Sequence, residues 1–427
     1  MDVLIADVIG DIALILLVSW LLGGVAKRVG QPAVVGQMIA GIMLGPSVLG
    51  RLPGHLTNRL FPHSALPSLN ALAQVSIVIF MFAVGYELDR RSLRTRRRAA
   101  VLVAAAALFV PMGLGSGAAA IFKSRFEALG HAHFSHASIA FMGVAVSITA
   151  LPVLAAILRE RNIADSVAGV TSTTAAGIMD ATAWLVLAVV VAGVAHNQGR
   201  PWPETVLLIS CFAVAMLLVV RPALRWWLGR RRAVLTERLP VAMMLALGSA
   251  WVTASLGLHP VFGGFLAGLT MPGSGDNPDV DVLKPMEDVS RALLPLFFMI
   301  TGLSMNVGAL NGSALIVLAI VCAIASAGKV IPAYLGARLG GLGSGDSTAV
   351  AVLVNTRGLT ELIALNVGLA AGLIDEQLFS VLVLMAVIMT VATGPLLTLI
   401  GVPKAPSAGR LPTDGEAPPS RLDSYAA

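Results

Sequence analysis

The sequence predicts an all-α polytopic membrane protein of about 13 transmembrane helices, built as two inverted six-helix repeats with two broken helices, which the family resemblance given below implies are crossing. Three observations predict it. Of 427 residues, 57% are hydrophobic and 12% charged, against roughly 25% charged in a soluble domain, and mean hydropathy is +0.86. Apolar stretches near the 20-residue length that crosses a bilayer recur along the chain from residue 8 to residue 400. The fifth and twelfth stretches are interrupted at mid-depth, in corresponding places of the two halves, as discontinuous helices are in inverted-repeat membrane folds.

Taken in order, the spans are expected near 8–26, 33–50, 69–86, 99–122, 136–158, 166–195, 204–224, 238–257, 259–272, 289–306, 312–337, 347–371 and 377–400. Met1 to Trp20 carries Asp2, Asp7 and Asp11 but no basic residue, so it reads as a retained first span rather than a cleaved signal. Loops on one face hold 19 Lys and Arg, those on the other only Arg51, Arg59, Lys123, Arg125 and Arg200. The basic face is expected to be cytoplasmic, which places the protein in the cell membrane with its N-terminus outside and its C-terminus inside. The net charge of +6 follows that loop pattern and gives no reason to expect nucleic acid as a partner.

Other features carry no chemistry. Cys211 and Cys322 lie in separate apolar spans and support neither a disulfide framework nor a zinc site. The glycines of Leu339 to Ser347 follow no strand, so they read as a loop and not a dinucleotide site. His131, His133 and His136 lack a fourth ligand and read as a solvated outer loop. The run Arg90 to Arg98 reads as an orientation signal in contact with lipid headgroups. Residues 403–427, rich in Pro, Ser, Gly and charge, are expected to form a disordered cytoplasmic tail. No cofactor is implied, and no Ser, Cys or His stands in a nucleophile context, so an enzyme is not expected.

The candidate site centres on Asp180, the only ionisable side chain between Ser166 and Ala195. A carboxylate near mid-membrane costs about 2.5–3.5 kcal/mol on insertion scales and is a functional candidate by default. The alternative is a packing aspartate bonded to Thr173 or Thr182. In the fifth span Ser147, Thr149 and Pro152 fall in mid-bilayer; in the twelfth, Asn355, Thr356, Arg357, Gly358 and Glu361 do. Lys329 is a second isolated charge, placed to neutralise half-helix ends, pair with a carboxylate or snorkel. Arg357 and Glu361, spaced i, i+4, suit one ion pair. A buried aspartate can hold either a proton or a hard cation, with oxygens from Ser147, Thr149, Thr174 and broken-helix carbonyls completing the shell. If the site moves between faces, that competition gives obligatory exchange of Na⁺ or K⁺ for H⁺. Rival readings are a sodium-coupled organic-anion carrier, a passive cation channel and a cation-binding sensor.

Seven stretches in order, VVGQMIAGIMLGPSVLG, FMFAVGYELDRRSLR, SITALPVLAAILRE, IMDATAW, HPVFGGFLAGLTMP, PLFFMITGLSMN and NTRGLTELIALNVGL, resemble the monovalent cation:proton antiporter-2 family over about residues 8–400. The resemblance implies a homodimer with elevator-type alternating access. It implies a transmembrane domain over 1–402, with a core around spans 69–196 and 312–400 and a dimerisation scaffold around 8–50 and 204–306. It makes Asp180 the ion-binding aspartate, Thr149 its neighbour, Lys329 the core lysine, and Arg357 with Glu361 the twelfth-span motif. Many members carry Asp, Asn or Gln before the binding aspartate, where this chain has Met179. In charge-moving members that preceding Asp pairs with the lysine, so Lys329 is expected to pair differently here, with exchange of one cation per proton.

Overall fold

All regular structure among the described residues is helical, because hydrocarbon offers backbone groups no partner and each spanning segment must satisfy its own. The computed structural model describes residues 2–51, 57, 60–87, 97–127, 134–194, 202–230, 235–273, 278–305 and 307–401. His131, His133, most of the Arg90 to Arg98 run and the tail 403–427 lie outside them.

The helices are α1 (Asp2–Arg28), α2 (Ala33–Leu44), α3 (Leu66–Glu87), α4 (Arg97–Ile121), α5 (His136–Ser147), α6 (Leu151–Glu160) and α7 (Val167–Ala192). A link follows: α8 (Trp202–Ala215), which runs through a π turn into α9 (Arg221–Arg230). The second half has α10 (Leu235–Ser255), α11 (Pro260–Thr270), α12 (Val280–Leu303), α13 (Gly312–Leu339), α14 (Ser344–Val354), α15 (Leu359–Ala370) and α16 (Glu376–Leu399). Counting α5/α6, α8/α9 and α14/α15 as one crossing each, every expected span has its helix. Ten segments are long and apolar enough to cross a membrane by length and composition. The other three are α10, the eleven-residue α11 and α12, whose first turns carry Asp281, Lys284, Glu287, Asp288 and Arg291.

Packing sorts the helices into two groups. In one, α4 packs on α13 and α5, while α7 packs on α4, α5, α6 and α14, and α16 on α13 and α15. In the other, α3 packs on α11 and α12, α2 on α1 and α12, and α10 on α11. α3, at the start of the range expected for the core, packs on α11 and α12. Each half therefore supplies three helices to the second group and then, to the first, a unit containing one broken span.

Small residues explain the scaffold contacts, since helices in lipid associate by close backbone approach. A Cβ on Gly302 would stand 2.0 Å from the Gly41 carbonyl oxygen, and one on Gly41 2.0 Å from that of Phe298. The α3–α11 crossing repeats the device, with a Gly268 Cβ 2.1 Å from the Phe82 oxygen. Gly302→Ala should therefore destabilise the detergent-solubilised protein by about 1–3 kcal/mol through overpacking. Gly248→Ala, with open space at its Cβ, should not; equal thermal midpoints for the two variants would refute the close-crossing account.

Candidate functional site

The first break exists because helix α5 ends four residues before its continuation can begin. Pro152 sits in the first turn of α6, where its missing N–H is tolerated, and cannot serve a continuous helix. Ile148 and Ala150 between the halves are extended. A helix C-terminus leaves carbonyls unpaired, and in hydrocarbon they need donors. Arg357 donates to the carbonyls of Ala145, at 3.1 Å, and Val146. Lys329 Nζ donates to Ser147 O at 2.5 Å and Ile148 O at 2.7 Å. Two cations thus satisfy four consecutive carbonyls.

The second break lies against the first. Gly358 adopts φ 152°, a conformation only glycine takes readily, and its α-carbon faces Val153, whose Cγ2 would lie 2.6 Å from any Cβ there. The Ala150 amide donates to Thr356 O at 3.0 Å, Thr149 Oγ1 to Val354 O at 3.0 Å, and Thr360 Oγ1 to Thr149 O at 3.3 Å. Thr390 of α16 donates to Arg357 O at 2.8 Å. The two interruptions therefore cross and complete each other's hydrogen bonding.

Asp180 is fully buried, and neither carboxylate oxygen makes a hydrogen bond. The groups acting on it are the Lys329 ammonium and, without normal hydrogen-bond geometry, the Leu151 amide at the start of α6. The packing alternative is not realised: Thr173 Oγ1 donates to Gly169 O and Thr182 Oγ1 to Ile178 O, both within α7. Met179 is buried with its sulfur 3.9 Å from Thr149 Oγ1. Ser147 Oγ donates back to Val144 O. Asn355 is buried, with its Oδ1 unpaired.

Lys329 is fully buried, so it does not snorkel; of the expected roles it takes that of capping a half-helix end. Arg357 and Glu361 form the i, i+4 ion pair at 3.3 Å, both fully buried, leaving one Glu361 oxygen unpaired. Thr174 alone stands apart. It lies six residues before Asp180, about 120° around the helix, and its hydroxyl donates to Val170 O. Helical periodicity turns it away from the carboxylate and onto a cavity wall. Sequence reasoning missed Thr390 and Thr360, because a threonine that clamps a break looks like any other hydroxyl within a span.

A cavity of about 1160 Å³ separates the core from the scaffold. Its lining includes the charged Lys27, Glu87, Arg159, Glu287 and Arg291, and also Leu151 together with Gly177 and Ala181, which lie within one turn of Asp180 on α7. Glu87 faces both Glu287 and Arg159 across this space. Among the described residues no cluster of three His, Cys, Asp or Glu could hold a resident metal.

Two crossing broken helices and a buried unpaired carboxylate beside their junction, next to a large cavity, define a secondary transporter of inverted-repeat type. Residues 12–401 match the sodium/hydrogen exchanger transmembrane family, and the chain belongs to that family of multi-pass cation/proton antiporters, which are not enzymes. It is 35% identical over 398 residues to the Na⁺/H⁺ antiporter NhaS4 of Synechocystis, covering 92% of this chain and 97% of the relative. It is 33% identical over 400 residues to K⁺/H⁺ antiporter 1 of Saccharomyces cerevisiae, covering 91% of this chain and 45% of that one. The chain likewise spans about half of the matched Arabidopsis thaliana cation/H⁺ antiporters. The fold matches the sodium proton antiporter MjNhaP1 of Methanocaldococcus jannaschii with a TM-score of 0.67 over 93% of this chain and 97% of that one, at 14% identity.

Removing one member of a buried charge network typically costs about 3–5 kcal/mol. Arg357→Met should therefore lower the thermal midpoint in detergent far more than Thr390→Val, which removes one neutral hydrogen bond. A smaller loss for Arg357→Met would mean that the carbonyls of α5 do not depend on it.

Proposed function

We propose that the chain exchanges Na⁺ or K⁺ for H⁺ across the membrane, with Asp180 holding proton and cation by turns. The observation that carries this reading is the fully buried Asp180 carboxylate, free of hydrogen bonds beside the crossing of the two broken helices. A carboxylate that served packing would be bonded. An organic anion would need a cation to meet it, and the charges of Lys329 and Arg357 are committed to helix carbonyls and Glu361.

The core of α4–α7 and α13–α16 carries the site past the scaffold of α1–α3 and α10–α12 in an elevator movement, the scaffold forming a homodimer. Lys27, Arg159 and Arg291 of the cavity lining belong to the face rich in Lys and Arg, so with the N-terminus outside this is taken as the cytoplasm-open state. Oxygens of Asp180, Thr149, Ser147 and Asn355 and break carbonyls are the available ligands. The buried quartet of Lys329, Arg357, Asp180 and Glu361 sums to zero when the site is empty. Either H⁺ or a monovalent cation raises it by one charge, which suits one-for-one exchange with Lys329 protonated throughout.

In proteoliposomes with a luminal pH dye, an imposed Na⁺ or K⁺ gradient should drive a pH change, and Asp180→Asn should abolish it while remaining folded; full exchange by that variant would exclude the site. Imposed membrane potential should leave the parental rate unchanged. It should also leave any residual Lys329→Met exchange unchanged, whereas a potential dependence that disappears in that variant would place the lysine in charge movement.

A further inference from the structure

The cavity stops along two helices in matching fashion. Lys27, Glu87 and Arg159 of its lining lie in the last turns of α1, α3 and α6, so they mark the end of the cavity nearest one membrane face. Among the described residues, the last lining residue along α12 is Leu294, and α15 contributes only its first residue, Leu359. Thr301 stands seven positions beyond Leu294, and Asn366 seven beyond Leu359. Seven residues of helix advance about 10 Å and stop about 20° short of two full turns. Each therefore continues the stripe of its cavity residue, one step past the open space.

There the two stripes meet. Asn366 Nδ2 donates to Thr301 Oγ1 at 3.1 Å, and also to Leu362 O, one turn back on its own helix, at 2.9 Å. The second bond holds the amide in place on α15. Thr301 is 3% exposed and adjoins Gly302, whose Cβ would stand 2.0 Å from the Gly41 carbonyl oxygen, so the acceptor is anchored in a tight scaffold crossing. The bond from Gln31 Nε2 to Val391 O is exposed by contrast, and water competes for both of its groups.

We infer that Asn366 and Thr301 are positioning residues that latch α15 of the core to α12 of the scaffold, holding the seam shut on the side away from the charged end of the cavity. The inference rests on the exchange proposed above, in which the core moves past the scaffold. Opening the opposite face requires α15 to leave α12, and this bond must then break. The net worth of one neutral hydrogen bond corresponds to a factor of about three to ten in that equilibrium.

Two measurements test it. Exchange in right-side-out and everted membrane vesicles gives the cation KM at each face. Thr301→Val and Asn366→Leu should each lower the KM at the outer face relative to the cytoplasmic face by about three- to tenfold, as the outward-open fraction grows. Thr301→Ser, which keeps the hydroxyl, should restore the parental ratio. A threonine serving packing alone would lower yield or kcat equally from both faces, and an unchanged KM ratio in both variants would overturn the latch. In the second measurement, a short bifunctional thiol reagent should join the helices in Thr301→Cys/Asn366→Cys and stop exchange, and reduction should restore it. The parent, whose cysteines are Cys211 and Cys322, should not respond. Failure to cross-link, or full exchange by the cross-linked protein, would overturn the latch while leaving the antiport reading intact. Absence of exchange in the parent from both vesicle orientations would instead overturn the antiport reading and the latch with it.

Discussion

Four consecutive carbonyls at the end of a half-helix, Ala145 to Ile148, set the terms for the rest of the site. Each would cost several kcal/mol if left without a donor in hydrocarbon. Lys329 and Arg357 satisfy all four. Two buried cations in turn need negative charge nearby. Glu361 supplies one through its ion pair with Arg357, and Asp180 supplies the second at longer range. The opposite end of the break supplies the complementary sign: the N-terminus of α6, with its positive dipole end, lies within electrostatic reach of Asp180. One interruption thus presents a negative end to two cations and a positive end to a carboxylate.

A site of this kind needs a firm surface to work against. The α2–α12 and α3–α11 crossings are close enough that one added methyl would enter a neighbouring carbonyl, so those helices cannot slide on each other cheaply. Between the two groups lies the cavity, and polar links across the seam include Asn366 Nδ2 to Thr301 Oγ1 at 3.1 Å and Gln31 Nε2 to Val391 O at 3.1 Å. Thr301 adjoins Gly302, at the tightest point of the scaffold.

The sequence made the spans, both breaks and the importance of Asp180 legible, because each depends on local hydropathy or on a charge that hydrocarbon makes expensive. It did not make legible how the pieces meet. That α3 packs on α11 depends on Gly264 and Gly268 meeting the Val78 and Phe82 carbonyls and on Gly85 meeting that of Phe265, and glycine in a membrane span has many other uses. Thr174 looked suitable for the ion shell because it is a hydroxyl near Asp180 in sequence, but a six-residue separation turns it about 120° away. Lys329 could have taken three roles, and only the position of α5 relative to α13 decides between them.

Met179 explains why the lysine took the one it did. The helix position before Asp180 points its side chain at the first break, where the sulfur lies against the Thr149 hydroxyl. A thioether is a weak acceptor and carries no charge, so that position offers an ammonium nothing to bind. The charged acids within electrostatic reach of Lys329 are Glu361 and Asp180, and Glu361 is already bonded to Arg357. The unpaired carbonyls of Ser147 and Ile148 are then the strongest acceptors left, and the lysine becomes part of the break's framework. The same substitution leaves Asp180 as the one carboxylate at this point of α7, with no second acid beside it in sequence to share a proton. Residue 179 therefore leaves Lys329 to the carbonyls of the broken helix and Asp180 without an acid beside it in sequence.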